Sequence, residues 1–94
     1  MRRALVVCRT GMGSSMMLKF KLEQVISQND LPLEIEHDVL SAVNNYDVDF
    51  VITMNDLVEQ LESDGVKVVG INDIMDKEEI KSKLMNYLKK LEEL

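Results

Sequence analysis

The chain has 94 residues, enough for one small domain, and 46% of them are hydrophobic, enough to pack one core without extra staples. Seventeen acidic residues against eleven Lys and Arg leave a net charge of -6, which argues against nucleic acid or an anionic membrane surface as the main partner. One cysteine excludes an internal disulfide and fits a reducing compartment.

The apolar run that follows Met1-Arg2-Arg3 stops at Cys8. That is too short for a signal-peptide core or a membrane span. A single cytoplasmic domain over residues 1–94 is therefore expected, with any membrane role supplied by a partner.

Ala4 to Val7 is a continuous apolar run, the pattern of a strand buried on both faces. A turn with Gly11 and Gly13 follows, and Ser14 or Ser15 is placed to cap a helix reaching about Ser27. Leu18, Leu22, Val25 and Ile26 give that helix an apolar stripe. Asn29-Asp30-Leu31-Pro32 breaks it. From Leu33 to Val39 the pattern alternates, with Leu33, Ile35, His37 and Val39 on one side and Glu34, Glu36 and Asp38 on the other. A strand wet on one face belongs near a sheet edge.

Ser41 to Asn45 reads as a short helical turn and Asp49 to Thr53 as a third strand. Leu57, Val58 and Leu61 mark a short helix, and Val66 to Ile71 forms the last strand, with Gly65 and Gly70 at its ends. Asp76 caps a final helix, and Glu79 stands three residues on in a capping-box arrangement. Ile80, Leu84, Tyr87, Leu88 and Leu91 line one face of that helix. Strands alternating with helices imply parallel βαβ units with right-handed crossovers. The expected fold is an α/β three-layer sandwich on a four-stranded parallel sheet, order 2-1-3-4. In such sheets the ligand site lies beyond the carboxyl ends of the strands, where the order reverses. Cys8 ends the first strand.

The segment Cys8-Arg9-Thr10-Gly11-Met12-Gly13-Ser14-Ser15 joins a buried strand to a helix. Its glycines allow a tight turn with several N–H groups aimed inward. The hydroxyls of Thr10, Ser14 and Ser15 add donors, and the first-turn amides carry the positive end of the helix dipole. The set makes a cradle for a phosphate dianion. The same field should hold the Cys8 thiol below its free value of ~8.5 and make it a nucleophile for phosphorus. The plainer reading of a cysteine at a strand end is a small buried side chain; the glycine and hydroxyl context favours chemistry.

Other phosphate motifs fit less well. A Walker A loop needs a Gly-Lys-Ser/Thr ending, and no such lysine is present. A dinucleotide fingerprint needs a third glycine where Met16 stands. The low-molecular-weight tyrosine phosphatase loop has a cysteine, five residues and an arginine on the same strand-loop-helix. Here Ser14 holds the arginine position, so the guanidinium that clamps a phosphatase transition state is missing. No general acid of the phosphatase kind stands out either. A phosphocysteine formed here should persist long enough to be passed on.

The run from Cys8 through Ser15 and on to Met16-Met17-Leu18-Lys19 resembles the IIB proteins of phosphoenolpyruvate-dependent sugar phosphotransferase systems, and is most similar to the ascorbate and galactitol types. The resemblance continues more weakly through "DFVITMNDL" and "VVGINDIMDKEEIKSKL". It implies the fold already argued. It also implies a phosphocarrier that takes phosphate from a phosphohistidine on a IIA partner. The phosphate then passes to a sugar or polyol imported by a membrane IIC partner. The family nucleophile falls on Cys8 and its phosphate loop on Arg9, Thr10, Gly11, Met12, Gly13, Ser14 and Ser15. Arg9 departs from the small or neutral residue expected there; it can reach over the phosphate or point to solvent or a partner. The sugar itself is left open.

Met12, Met16 and Phe20 form an expected apolar docking patch beside Cys8, with Lys19 and Lys21 as a basic rim or a solvated face. Thr53 and Asn55 stand near the site, either donating to the loop or phosphate or capping the next helix. His37, the single histidine, reads as a partly buried structural residue. With one Cys and one His, no metal-ligand spacing exists, and no cofactor is expected. Two rival readings are a phosphatase or arsenate-reductase relative, and a non-catalytic anion-binding regulatory module.

Overall fold

The computed structural model describes residues 2–8, 13–39, 43 and 47–93, and of residues 8, 13–15, 39 and 93 the backbone alone. Four strands, β1 (Arg2–Cys8), β2 (Leu33–Val39), β3 (Phe50–Met54) and β4 (Val68–Ile71), alternate with three helices, α1 (Gly13–Asn29), α2 (Val58–Ser63) and α3 (Lys77–Glu93). A 3-10 turn over Asn55–Leu57 leads into α2. The strands form one sheet in the order β2-β1-β3-β4, all parallel, as the sequence pattern predicts.

β1 is central because it has no wet face. Ala4, Leu5, Val6 and Val7 are all at most 1% exposed. Ala4 and Val6 join Leu18, Leu22 and Val25 of α1 and Ile80, Leu84 and Leu88 of α3 in the larger core. Leu5 and Val7 join Val51, Leu57 and Leu61 in a smaller core beneath α2. Helices therefore cover both faces, and each fully buried leucine contributes about 1.5–3 kcal/mol. β2 is an edge strand, as its alternation implies. Leu33 is buried and Ile35 and His37 are half-buried, while Glu34 and Glu36 are exposed. Charged residues on an edge discourage pairing with another chain.

Several boundaries differ from the sequence expectation, each for a local reason. α1 begins at Gly13, so Ser14 and Ser15 lie in its first turn and not ahead of it. It runs on to Asn29 because a Schellman motif closes it. Asp30 takes a left-handed φ of 51° and the Leu31 N–H bonds the Ile26 carbonyl at 3.0 Å. Asn29 Nδ2 also donates to the Val25 carbonyl at 2.9 Å. The same motif explains why β4 starts at Val68, not Val66. Gly65, φ 81°, ends α2, and Gly65 and Val66 donate to the Glu62 and Leu61 carbonyls. Val66 is thus spent on the cap. Gly70 lies inside β4 and does not end it. Of the helical turn expected over Ser41 to Asn45, Val43 is half-buried against the smaller core, and the remainder lies outside the described residues.

The amino end of the sheet is tied by Asp49. Its Oδ2 accepts the Arg3 N–H at 2.8 Å, its own N–H donates to the Arg3 carbonyl at 2.8 Å, and Arg2 reaches Oδ1 at 3.4 Å. Burial, with the Asp49 charge second, raises the pKa of Tyr87, whose ring meets Phe50 at 4.6 Å.

The α3 start confirms half of the capping box. Asp76 Oδ1 accepts the Glu79 N–H at 3.1 Å. The Glu79 carboxylate does not return to Asp76; it accepts the N–H groups of Asn72 and Asp73, both at 2.9 Å, and pairs with Lys83 at 2.7 Å. The Lys83 hydrogen bond is the largest cause holding the Glu79 carboxyl at about 2 against an ordinary 4.5; burial opposes it and the two amides assist. The folded value is the lower one, so the contribution to stability is full above about pH 4.5 and is lost as pH falls towards 2. Lys83→Met should raise the Glu79 value in a carboxyl NMR titration. It should also flatten the fall of stability across that acid window. An unmoved Glu79 titration would show that Lys83 is not the main cause.

Candidate active site

Order 2-1-3-4 has one place where successive connections leave in opposite directions, the carboxyl ends of β1 and β3. Cys8 is the last residue of β1, and its backbone pairs with Val39 of β2. On the other side the β1–β3 ladder stops two residues earlier, at Val6 opposite Ile52. The crevice that opens there is bridged by one side chain. Thr53, 0% exposed, donates its hydroxyl to the Val7 carbonyl at 3.0 Å. This corrects the expectation that Thr53 serves a helix cap or the loop: its proton is committed to β1. It is also the buried polar residue among the described side chains.

α1 starts at Gly13, so its unpaired first-turn amides belong to the same connection that leaves Cys8. Arg9, Thr10, Gly11 and Met12 lie outside the described residues, as do the side chains of Cys8, Gly13, Ser14 and Ser15. Of the apolar patch expected beside Cys8, Met16 and Phe20 are described and Met12 is not. Met16 and Phe20 are 54% and 58% exposed, opposite the buried Leu18-Leu22-Val25 stripe, and Met17 joins them. Lys19 pairs with Glu23 at 3.7 Å, so its charge is partly balanced within the helix.

Carboxylates mark the ends of the other strands. Asp38 is the penultimate residue of β2, and Asp56 and Asp73 follow β3 and β4. Asn55 caps no helix, for neither the 3-10 turn nor α2 has a side-chain cap. Its Nδ2 instead donates to Asn72 Oδ1, linking the segments that follow β3 and β4. Sequence spacing gave no sign of that pair. The hollow of about 430 Å³ between Val48, Asp49, Gly65 and Lys67 lies at the amino ends of β3 and β4, opposite the switch point. Among the described residues, no group of three His, Cys, Asp or Glu could hold a metal ion. None of the described helices is long and apolar enough to cross a membrane.

Comparison with known proteins decides between the functional readings. The family described as "PTS system, Lactose/Cellobiose specific IIB subunit" matches residues 3–86. The chain belongs to this IIB family of sugar phosphotransferase systems. It is 32% identical to ascorbate-specific EIIB components of Salmonella typhimurium and Escherichia coli O157:H7, over 93% of this chain and 89% of each relative. The lactose-specific IIB domain of Streptococcus pneumoniae has the same fold, with a TM-score of 0.68 at 16% identity, covering 94% of this chain and 95% of that one. A IIB component is a phosphotransferase, and the chain is a phosphocarrier of a sugar transport system. That places it apart from the phosphatases that share the strand-loop-helix plan. IIA and IIC partners and a sugar substrate follow in general terms from the family.

The carboxyl edge of this IIB sheet depends on a close approach at Gly70. A Cβ there would overlap Val58 Cγ2 and Asn55 Oδ1. Gly70→Ala should therefore destabilise the fold by about 1–3 kcal/mol through overpacking. Denaturant unfolding measures this, and a loss well under ~1 kcal/mol would show that Val58 and Asn55 move aside freely.

Proposed function

We propose that Cys8 carries the phosphoryl group, that Arg9, Thr10, Gly11, Met12, Gly13, Ser14 and Ser15 hold it, and that Met12, Met16 and Phe20 dock the partners. One observation supports this most: the single cysteine ends the central strand at the switch point, and α1 starts with Gly13 just beyond the connecting loop. In the first step the Cys8 thiolate attacks the phosphorus of a IIA phosphohistidine. An S–P bond forms, the P–N bond breaks, and the imidazole nitrogen leaves. In the second step a sugar hydroxyl, presented by the IIC partner, attacks the same phosphorus. The S–P bond breaks, the thiolate is regenerated, and the hydroxyl proton passes to a base or to solvent. First-turn amides and loop donors hold the dianion throughout.

Residues 1–94 act as a single IIB-type domain on the cytoplasmic side of the membrane. The substrate is a sugar or polyol. Identity to ascorbate-specific relatives favours an ascorbate-like compound over the disaccharides in the family's description. The exposure of Met16 and Phe20 supports the docking assignment, since both partners must approach one cysteine.

Incubation with a phosphoryl-donor system followed by mass spectrometry should find phosphate on Cys8. Cys8→Ser should abolish transfer while the fold is kept, because a serine hydroxyl without a dedicated base is a far weaker nucleophile. Normal transfer by the folded Cys8→Ser protein would sink the assignment. The pH profile of Cys8 alkylation tests the cradle separately. Loop amides and the helix terminus should lower the thiol's pKa. A midpoint below ~8.5 is expected. A midpoint at or above it would show that the cradle does not favour anions.

A further inference from the structure

We infer that Thr53 is a positioning residue for phosphoryl transfer: its buried hydroxyl fixes the last peptide before Cys8. The inference rests on the reading of Cys8 as the nucleophile and adds a residue that acts through it. The geometry carries the case. β1 is held on both sides up to Val6, by β2 through its ladder and by β3 opposite Ile52. Beyond Val6 the β3 ladder ends while the β2 ladder continues to Cys8 opposite Val39. With one side alone paired, the end of β1 could pivot about the β2 ladder. Thr53 closes that gap by donating to the Val7 carbonyl at 3.0 Å from a site with no exposure to water.

The Val7 carbonyl and the Cys8 N–H belong to one planar trans peptide, so fixing one fixes the other. The bond therefore sets where the main chain of Cys8 sits. In-line transfer is sensitive to such placement: a shift of about 1 Å can cost on the order of a hundredfold in rate. Thr53 touches neither phosphate nor sugar in this account. A threonine needed for packing alone would be replaced equally well by valine, which has the same shape and no hydroxyl.

The test compares Thr53→Val, Thr53→Ala and Thr53→Ser with the unaltered protein, all at one temperature well below the unfolding midpoint of the unaltered protein. Cys8→Ser serves as the control for the underlying reading. The expected result is that Val and Ala slow phosphoryl transfer from the IIA donor by roughly tenfold to a hundredfold and shift the pH profile of Cys8 alkylation. Ser, which restores the hydroxyl, should recover most of the rate and the profile. Transfer and alkylation profiles unchanged in folded Thr53→Val would overturn the inference while leaving Cys8 as the nucleophile. Unfolding of both hydroxyl-less variants at the assay temperature would overturn it too, since Thr53 would then be a determinant of the fold. A Cys8→Ser protein that still carries phosphate would instead remove the reading beneath it.

Discussion

Burial of β1 on both faces is the constraint from which the rest of the molecule is arranged. A strand whose four central residues are at most 1% exposed must have strands beside it and helices above and below. α1 and α3 cover one face and α2 the other, and β2 and β3 flank it. Its carboxyl end is then the switch point, and the connections on either side lead away from it. On the proposed reading the nucleophile is thereby mounted on the strand that the fold encloses most fully.

The two ends of the sheet are built differently. At the amino end, Asp49 gathers Arg2, Arg3 and its own backbone into one tie, and Arg2 also reaches the Leu91 carbonyl of α3 at 3.2 Å. That end is a lock. At the carboxyl end the ties are dispersed: Thr53 holds β1, Asn55 meets Asn72, and Glu79 gathers two loop amides while paired to Lys83. Each of these ties joins neighbouring segments at the strand ends.

The architecture was legible because it follows from periodicity. The continuous run Ala4 to Val7 marks a central strand, the alternation Leu33 to Val39 marks an edge, and both sit as read. The glycines and hydroxyls after the buried strand point to a phosphate loop in the sequence, and that loop lies outside the described residues. The roles of Thr53 and Glu79 were not legible. A threonine in a strand is ordinary β-propensity, and its bond to Val7 spans 46 positions that no local pattern connects. Glu79 carries a recognisable signature, but its acceptor role is turned on Asn72 and Asp73, which folding alone brings within reach. Val66 was read as strand because its apolar character is the same in a Schellman contact as in a ladder.

α1 has to meet two demands at once. Its inner stripe, Leu18, Leu22 and Val25, is buried and anchors the helix to β1 and α3. Its outer face, which a lone domain would fill with charge, carries Met16, Met17 and Phe20 exposed beside the start of the helix. Apolar side chains there are a cost to solubility that the fold does not require, because the helix is already held from within. On the proposed reading the cost is offset when a partner covers them, and flexible methionines suit a surface that must fit two partners in turn. On that reading one helix serves the phosphate through its first-turn amides and the partners along its flank, while its buried inner stripe keeps it seated on β1 and α3.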